Sequence, residues 1–186
     1  AGRDEKDSTS YPAEIPNYLD FCQETDNKKL EGIKLGIKKW LFEEKGLSDG
    51  VKEVIKNKVE DLKKLGAEII EIDLPLDSYA LAVYYILMPA EVSTNLSRYQ
   101  GIRYGHLAEK FQGIKELITN SRDEWFSDEV QRRIILGNYV LSAGSYDAYY
   151  NQAQKVRSLI KKDYDRVFSQ VDAVIGPTSP TVAWNL

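Results

Sequence analysis

The residues with the most chemical promise lie between Asp128 and Arg157, in DEVQRRIILGNYVLSAGSYDAYYNQAQKVR. Val130, Ile134, Gly137 and Leu141 recur at helical spacing, Ser127 is placed to cap that helix, and Asp128 and Glu129 favour its N-terminus. On a helical wheel Arg133 falls roughly 60° from Val130, at the margin of the apolar stripe, whereas Arg132 points about 200° away. Arg133 is therefore the arginine placed to reach a cleft, and Arg132 the one that meets solvent. Periodicity alone leaves open a plainer reading, in which both are solvated helix surface. A second segment, YYILMPAEVSTNLSRYQGIRYG from Tyr84 to Gly105, offers a tyrosine hydroxyl at Tyr84. Leu81, Tyr84, Tyr85, Met88, Val92 and Leu96 share helical spacing, so they read first as core.

Activated nucleophiles and metal ligands are not visible in the same way. His106 is the sole histidine, so a Ser-His-Asp arrangement would depend on it alone, and no G-x-S-x-G elbow accompanies it. An isolated histidine in a loop reads as an ordinary surface residue. Cys22 is the one cysteine; it has no second thiol for an internal disulfide or a zinc site, and it fits a reducing compartment, with cytoplasm expected. Gly32 and Gly36, in LEGIKLG, sit in a strand context and need mark only close packing. No catalytic residue, no metal ligand and no cofactor is expected in this chain.

The elements that must hold these residues follow from the pattern. Residues 1–29 carry charge, Ser/Thr and two prolines with little periodicity, and read as an extended arm or crossover anchored by Tyr18, Leu19 and Phe21. From residue 30 to 186 the chain reads as α/β. Ile33, Leu35 and Ile37 alternate with Lys34, Gly36 and Lys38, as in a strand with one buried face. Ser48 can cap a helix whose apolar residues are Val51, Val54, Ile55, Val59, Leu62 and Leu65, and Gly66 stops it. AEIIEIDL from Ala67 to Leu74 is a second strand closed by Pro75. Strand, helix and strand at this spacing predict a right-handed βαβ crossover in a parallel or mixed sheet, covered on both faces. Helices near 78–98, 114–120, 128–143 and 147–168 supply the cover, and 172–176 forms a final short strand. Gly144 is placed to allow a turn and Asp147 to accept backbone hydrogen bonds where the last helix begins, beside Tyr139, Tyr146, Tyr149 and Tyr150.

Composition restricts the functional classes further. With 42% apolar and 29% charged residues among 186, the chain is an ordinary globular sequence able to bury one core. Its net charge of −4, with lysines and arginines interleaved with acids, argues against RNA binding by this segment alone. The Lys155, Arg157, Lys161 and Lys162 cluster alternates with Asp163 and Asp165 and reads as solvated helix surface. The apolar run from Tyr79 to Ala90 is too short to cross a bilayer, and no membrane association is expected. The start AGRDEKDSTS has no cationic stretch leading into an apolar one; it reads as the edge of an excised segment, not as a signal peptide.

The arginine helix, YYILMPAE, GIRYG, DSTS (Asp7 to Ser10) and the strand and turn VDAVIGPTSPT (Val171 to Thr181) together resemble the C-terminal half of the amidase signature family. Within it they are most similar to the branch that serves glutamyl-tRNA(Gln) amidotransferases. The resemblance implies an α/β/α fold and a glutaminase that feeds ammonia to a partner subunit, which uses ATP and Mg to turn Glu-tRNA(Gln) into Gln-tRNA(Gln). It implies that Arg133 grasps the α-carboxylate of the glutamine donor, a task that suits a planar guanidinium. Tyr84 would occupy the position of a tyrosine beside the bound glutamine, although core packing remains an alternative for it. Glu91, Ser93, Asn95, Arg98, Arg103 and Tyr104 also match the pattern and would shape the cleft. The family catalyses with a lysine and two serines in a Gly/Ser-rich core, and nothing resembling that core lies in this sequence. The chain is therefore expected to be inactive alone. Its partners would be glutamine, the missing N-terminal half, the other members of the complex, and tRNA mainly through the partner subunit. Two alternatives stand beside this: a portion of another amidase acting on aryl, peptide or fatty amides, and a non-catalytic α/β binding module.

Overall fold

Leu35, Gly36 and Ile37 are all buried in a five-residue strand, β1 (Lys34–Lys38), so this strand is covered on both faces and not on one. The structure is a computed structural model describing residues 3–21, 30–43 and 46–184. Cys22 and the side chain of Phe21 lie outside the described residues. Helix α1 (Asp49–Lys64) and strand β2 (Glu68–Ile72) follow. β2 pairs parallel to β1, from Lys34 opposite Glu68 to Lys38 opposite Ile72. Strand β3 (Ala173–Ile175) pairs parallel to the other side of β1, giving the order β2-β1-β3. The parallel βαβ unit expected from the spacing is present, with β1 central.

Alternate residues of the strands divide the core. Ile37 and Ile69 join Leu41, Leu47, Val51, Ile55 and Val59 on the α1 side. Ile70, Ile72 and Val174 join Leu74, Tyr164, Val167 and Val171 on the side of α5 (Asn151–Phe168). A β-carbon at Gly36 would come within 3.1 Å of Ile72 and 3.2 Å of Val171, so this glycine does mark close packing. Gly32 does not belong to the strand. It turns the chain before β1 with φ of 84°, a conformation that costs glycine little.

Helix ends follow the expectation in part. Gly66, with φ of 98°, closes α1 as Gly66 N–H donates to Lys63 C=O (3.0 Å) and Ala67 N–H to Leu62 C=O (3.1 Å), a Schellman ending. Ser48 stands at the N-cap of α1, but its hydroxyl makes no cap bond. That corner is held from the other side, by Ser48 N–H donating to Pro180 C=O (2.9 Å) in the PTSPT turn. Ser127 likewise lends no side chain to the helix it precedes; Gln131 Nε2 reaches back to Phe126 C=O (2.8 Å) and braces that start.

The helical cover consists of α2 (Ala80–Leu96), α3 (Ile114–Trp125), α4 (Asp128–Leu141) and α5. α2 packs most closely on α4 and then on α5. Between α4 and α5, Tyr146–Tyr150 forms a turn of π-helix with no side-chain cap. Asp147 accepts from the Asn151 amide (2.6 Å) and not from backbone; Gly144 does lie in the expected turn, but with no positive φ and with open space where a β-carbon would stand, so the turn does not require glycine. The anchor expected at Tyr18 and Leu19 is not formed: they are 68% and 75% exposed in the short turn Tyr18–Phe21. Among the described residues, no helix is long and apolar enough to cross a membrane.

Candidate functional site

Tyr84 and Met88 lie one turn apart on α2, and Glu129 and Arg133 one turn apart on α4, so each helix offers a pair of side chains on one face. What brings the faces together is a contact between backbones. Gly137, one turn beyond Arg133, is so close to α2 that a β-carbon there would stand 2.0 Å from the Pro89 carbonyl oxygen and 2.6 Å from Ser93 Oγ. The facing surface of α2 is correspondingly small: Pro89, Ala90 and Ser93 are buried, and Ser93 Oγ satisfies itself on Ala90 C=O (2.9 Å).

That contact rotates α2 away from the expected orientation. Of the six residues expected as core, Leu81, Tyr84 and Tyr85 are 65%, 46% and 46% exposed and Met88, Val92 and Leu96 are half-buried, while the buried stripe runs through Val83, Pro89, Ala90 and Ser93. Small residues permit the close crossing, which larger side chains at those positions would prevent. The aromatic side chains are left on the open face.

α2 is fixed at its start by a polar knot. Lys38, at the end of β1, forms an ion pair with Asp77 just before α2, and Tyr164 of α5 donates to the same carboxylate (3.3 Å). Burial, with the Asp77 charge beside it, pushes the Tyr164 hydroxyl above the usual phenol range. At the other end Arg122 Nη1 donates to the carbonyls of Leu96 (2.8 Å) and Tyr99 (2.9 Å). The helix bearing Tyr84 is thus tied to the sheet, to α5 and to α3.

At the site itself the Arg133 side chain is 30% exposed and that of Arg132 58%. Arg133 Nη1 lies 3.4 Å from Tyr84 Oη and 3.5 Å from Met88 Sδ, so the two residues singled out from sequence are neighbours. Arg133 Nε donates to Glu129 Oε1 (2.7 Å). Arg132 also grips Glu129, through Nε to Oε2 and Nη2 to Oε1, both at 2.8 Å. The hydrogen bonds from both guanidiniums hold the Glu129 carboxyl down to about 2. Both arginines are in turn raised above their ordinary range, chiefly by the bond to Glu129. Arg132 is exposed as its wheel position implies, but it is engaged and not idle.

Beside Tyr84 and Met88 a cavity of about 540 Å³ opens between α2 and α5, walled by Val83, Leu87 and Ile160, with Glu91, Gln154 and Arg157 as its polar residues. Arg133 is not one of its walls but touches two of them, Tyr84 and Met88, while Arg157 is the guanidinium that lines it; a guanidinium beside a mostly apolar hollow can take a ligand that has a carboxylate at one end and a chain behind it. Of the other residues expected to shape the cleft, Glu91 lines this hollow and the rest do not converge there. Asn95 donates to Glu91 C=O (3.0 Å), Arg98 contacts Asn95 Oδ1 (3.5 Å), Arg103 is exposed, and Tyr104 lies 6.3 Å from the Tyr99 ring. His106 bonds Glu124 (2.7 Å) and stacks on Trp125 at 5.7 Å, away from this site. Sequence reasoning missed Glu129 as a partner of both arginines, although its spacing of three and four residues from them was the available signal.

Known proteins share both this sequence and this fold. The family described as Amidase matches residues 1–186. The A subunit of glutamyl-tRNA(Gln) amidotransferase from Thermoanaerobacter pseudethanolicus is 48% identical over 185 residues, covering 100% of this chain and 37% of the relative. The same-named protein of Fusobacterium nucleatum is 47% identical over 186 residues, again 100% of this chain and 37% of the relative. Among solved structures, the glutamyl-tRNA(Gln) amidotransferase A subunit of Thermotoga maritima aligns with a TM-score of 0.60 at 30% identity, covering 100% of this chain and 34% of that one. The chain thus spans a little over a third of the length of the relatives it matches. With the family matched over every residue and a solved structure aligning over the whole chain, the chain belongs to the amidase family.

Proposed function

We propose that this chain is the donor-binding portion of a glutaminase subunit in a tRNA-dependent amidotransferase, and that Arg133 and Tyr84 hold the glutamine. The observation that carries the reading is the Arg133 guanidinium beside the Tyr84 hydroxyl at 3.4 Å, with Tyr84 in turn lining a largely apolar cavity. Glu129 takes only the Nε proton of that guanidinium; a second carboxylate is the natural partner of its Nη edge, and an amide whose remaining chain is apolar would leave that edge with only its long contacts to Tyr84 and Met88. The names of the relatives support the same reading. A serine of the complete protein would attack the side-chain amide of glutamine, while a lysine and second serine relay protons. Ammonia would then pass to a partner that uses ATP and Mg to amidate Glu-tRNA(Gln). None of that serine and lysine core resembles any part of this sequence, so the chain alone should not turn over glutamine. It would work in the cytoplasm, joined to its own N-terminal half and meeting tRNA through the companion subunit.

The exposed aromatic residues support the view that more protein covers this face. Tyr79, Leu81, Tyr84 and Tyr85, grouped at the start of α2, are each 46–65% exposed, more apolar side chain in one region than a free-standing binding module would leave open. The test is substrate preference of the complete subunit. It should hydrolyse glutamine in preference to aryl or aliphatic amides lacking an α-carboxylate. The opposite order would assign the chain to another amidase of the family.

A further inference from the structure

Arg133 has two edges through which it can receive a carboxylate: the side-on edge of Nε and Nη2, and the end-on edge of Nη1 and Nη2. Glu129 occupies the first by taking the Nε proton at 2.7 Å. Nη1 is then turned towards Tyr84 and Met88, where its contacts of 3.4 and 3.5 Å are long and one acceptor is a thioether. Such contacts are weak compared with the roughly 2.7–2.9 Å bonds of a guanidinium to a carboxylate oxygen, and an incoming carboxylate displaces them readily.

We propose that Glu129 is a positioning residue that holds Arg133 with its end-on edge presented beside Tyr84, while Arg132 balances the Glu129 charge so that the trio keeps a net positive charge for an anionic donor. This deepens, and rests on, the reading of Arg133 as the carboxylate grip. An unclamped arginine gives up its rotamer freedom when the ligand arrives; a clamped one has already done so in folding. A bare glutamate so near the site would repel the donor carboxylate. Here its two oxygens already receive three guanidinium hydrogen bonds, two of them from Arg132, which lies outside the contact with Tyr84. The wheel position that leaves Arg132 on the solvent side is what frees it for this task.

The experiment is steady-state glutaminase kinetics of the complete subunit in its complex, with ammonia-driven amidotransfer as an internal control. Glu129→Ala should raise KM for glutamine about 5- to 10-fold with kcat within about twofold, because only binding is disturbed. Ammonia-driven amidotransfer should not change. Glu129→Gln, which keeps an acceptor for Arg133 Nε, should recover most of the loss. Arg132→Ala should raise KM about threefold, more at low salt than at high. In an Arg133→Ala background, Glu129→Ala should add nothing to KM, an outcome that a merely structural role would not produce. A fall in KM for either Glu129 variant would overturn the proposal, because repulsion would then outweigh positioning. So would an undiminished effect in the Arg133→Ala background. If Arg133→Ala raises KM and Glu129→Ala does not, this inference fails alone; if Arg133→Ala leaves KM unchanged, the parent reading fails as well.

Discussion

Replacing Gly137 with alanine adds one methyl group at the point where α4 meets α2. Its β-carbon would fall 2.0 Å from the Pro89 carbonyl oxygen, while ordinary contact begins near 3.4 Å, so α4 must retreat by about 1.4 Å or tilt. The atom in its way is backbone of a helix fixed at both ends by Lys38–Asp77 and by Arg122, so α2 cannot simply yield. Overpacking of this kind costs about 1–3 kcal/mol, and a backbone clash lies towards the upper end of that range. Against this stands a gain of about 1 kcal/mol from exchanging glycine for alanine in a helix. The net expectation is a loss of roughly 1–2 kcal/mol, which for a chain of this size is a fall in Tm of about 3–8 °C. The same displacement would take Arg133 Nη1 beyond hydrogen-bonding reach of Tyr84, since the pair starts at 3.4 Å. Thermal denaturation of the chain and glutamine KM of the complete subunit measure the two effects. A Gly137→Ala variant that melts higher than the parent, with KM unchanged, would refute the reasoning, because helix propensity would then be the only consequence of the change.

Gly36→Val should destabilise by about 2–3 kcal/mol, by forcing β1 away from Ile72 and Val171, which its β-carbon would meet at 3.1 and 3.2 Å; chemical denaturation is the check. The pH dependence of Glu129 has a definite sign. Its carboxyl falls from 4.5 to about 2 in the folded chain, so the stabilisation from its pairing is complete above the unfolded value and is lost as pH falls between the two. An NMR titration should therefore show Glu129 still ionised at pH 4, and glutamine KM should carry no Glu129 titration between pH 5 and 9. The purified 186-residue chain should release no ammonia from glutamine above a no-protein control; release abolished by mutating one of its own serines would overturn that expectation.

Much of this architecture is legible in the sequence because it is local. Alternation at 33–38 and 68–73, the helical period between, and Gly66 determine two parallel strands and their crossover; the structure differs in burying successive residues of β1, in leaving Ile33 outside the strand, and in exposing Val54 and Leu65 of the expected helix face. Arg133 is separable from Arg132 by phase alone. What is not legible depends on partners distant in sequence. α2 is apolar nearly all round, so its period cannot say which face is core, and the answer comes from Gly137 on α4 needing small residues opposite. Type and position mark the hydroxyls of Ser48 and Ser127 as caps, yet a tertiary contact from Pro180 holds the first corner and a local bond from Gln131 to Phe126 C=O braces the second. Asp147 fails as a backbone acceptor for a related reason: the chain enters α5 through a π turn, which has no simple sequence mark.

The central claim is that Arg133 grips the carboxylate of the amide donor, and it is tested most directly by comparing glutamine with free ammonia as nitrogen source in the complete complex. Arg133→Ala should lower glutamine kcat/KM by about one to two orders of magnitude, Arg133→Lys should recover only part, and amidotransfer from ammonia should survive both changes. Equal losses with glutamine and ammonia would contradict the account, because Arg133 would then hold up the fold and not the donor.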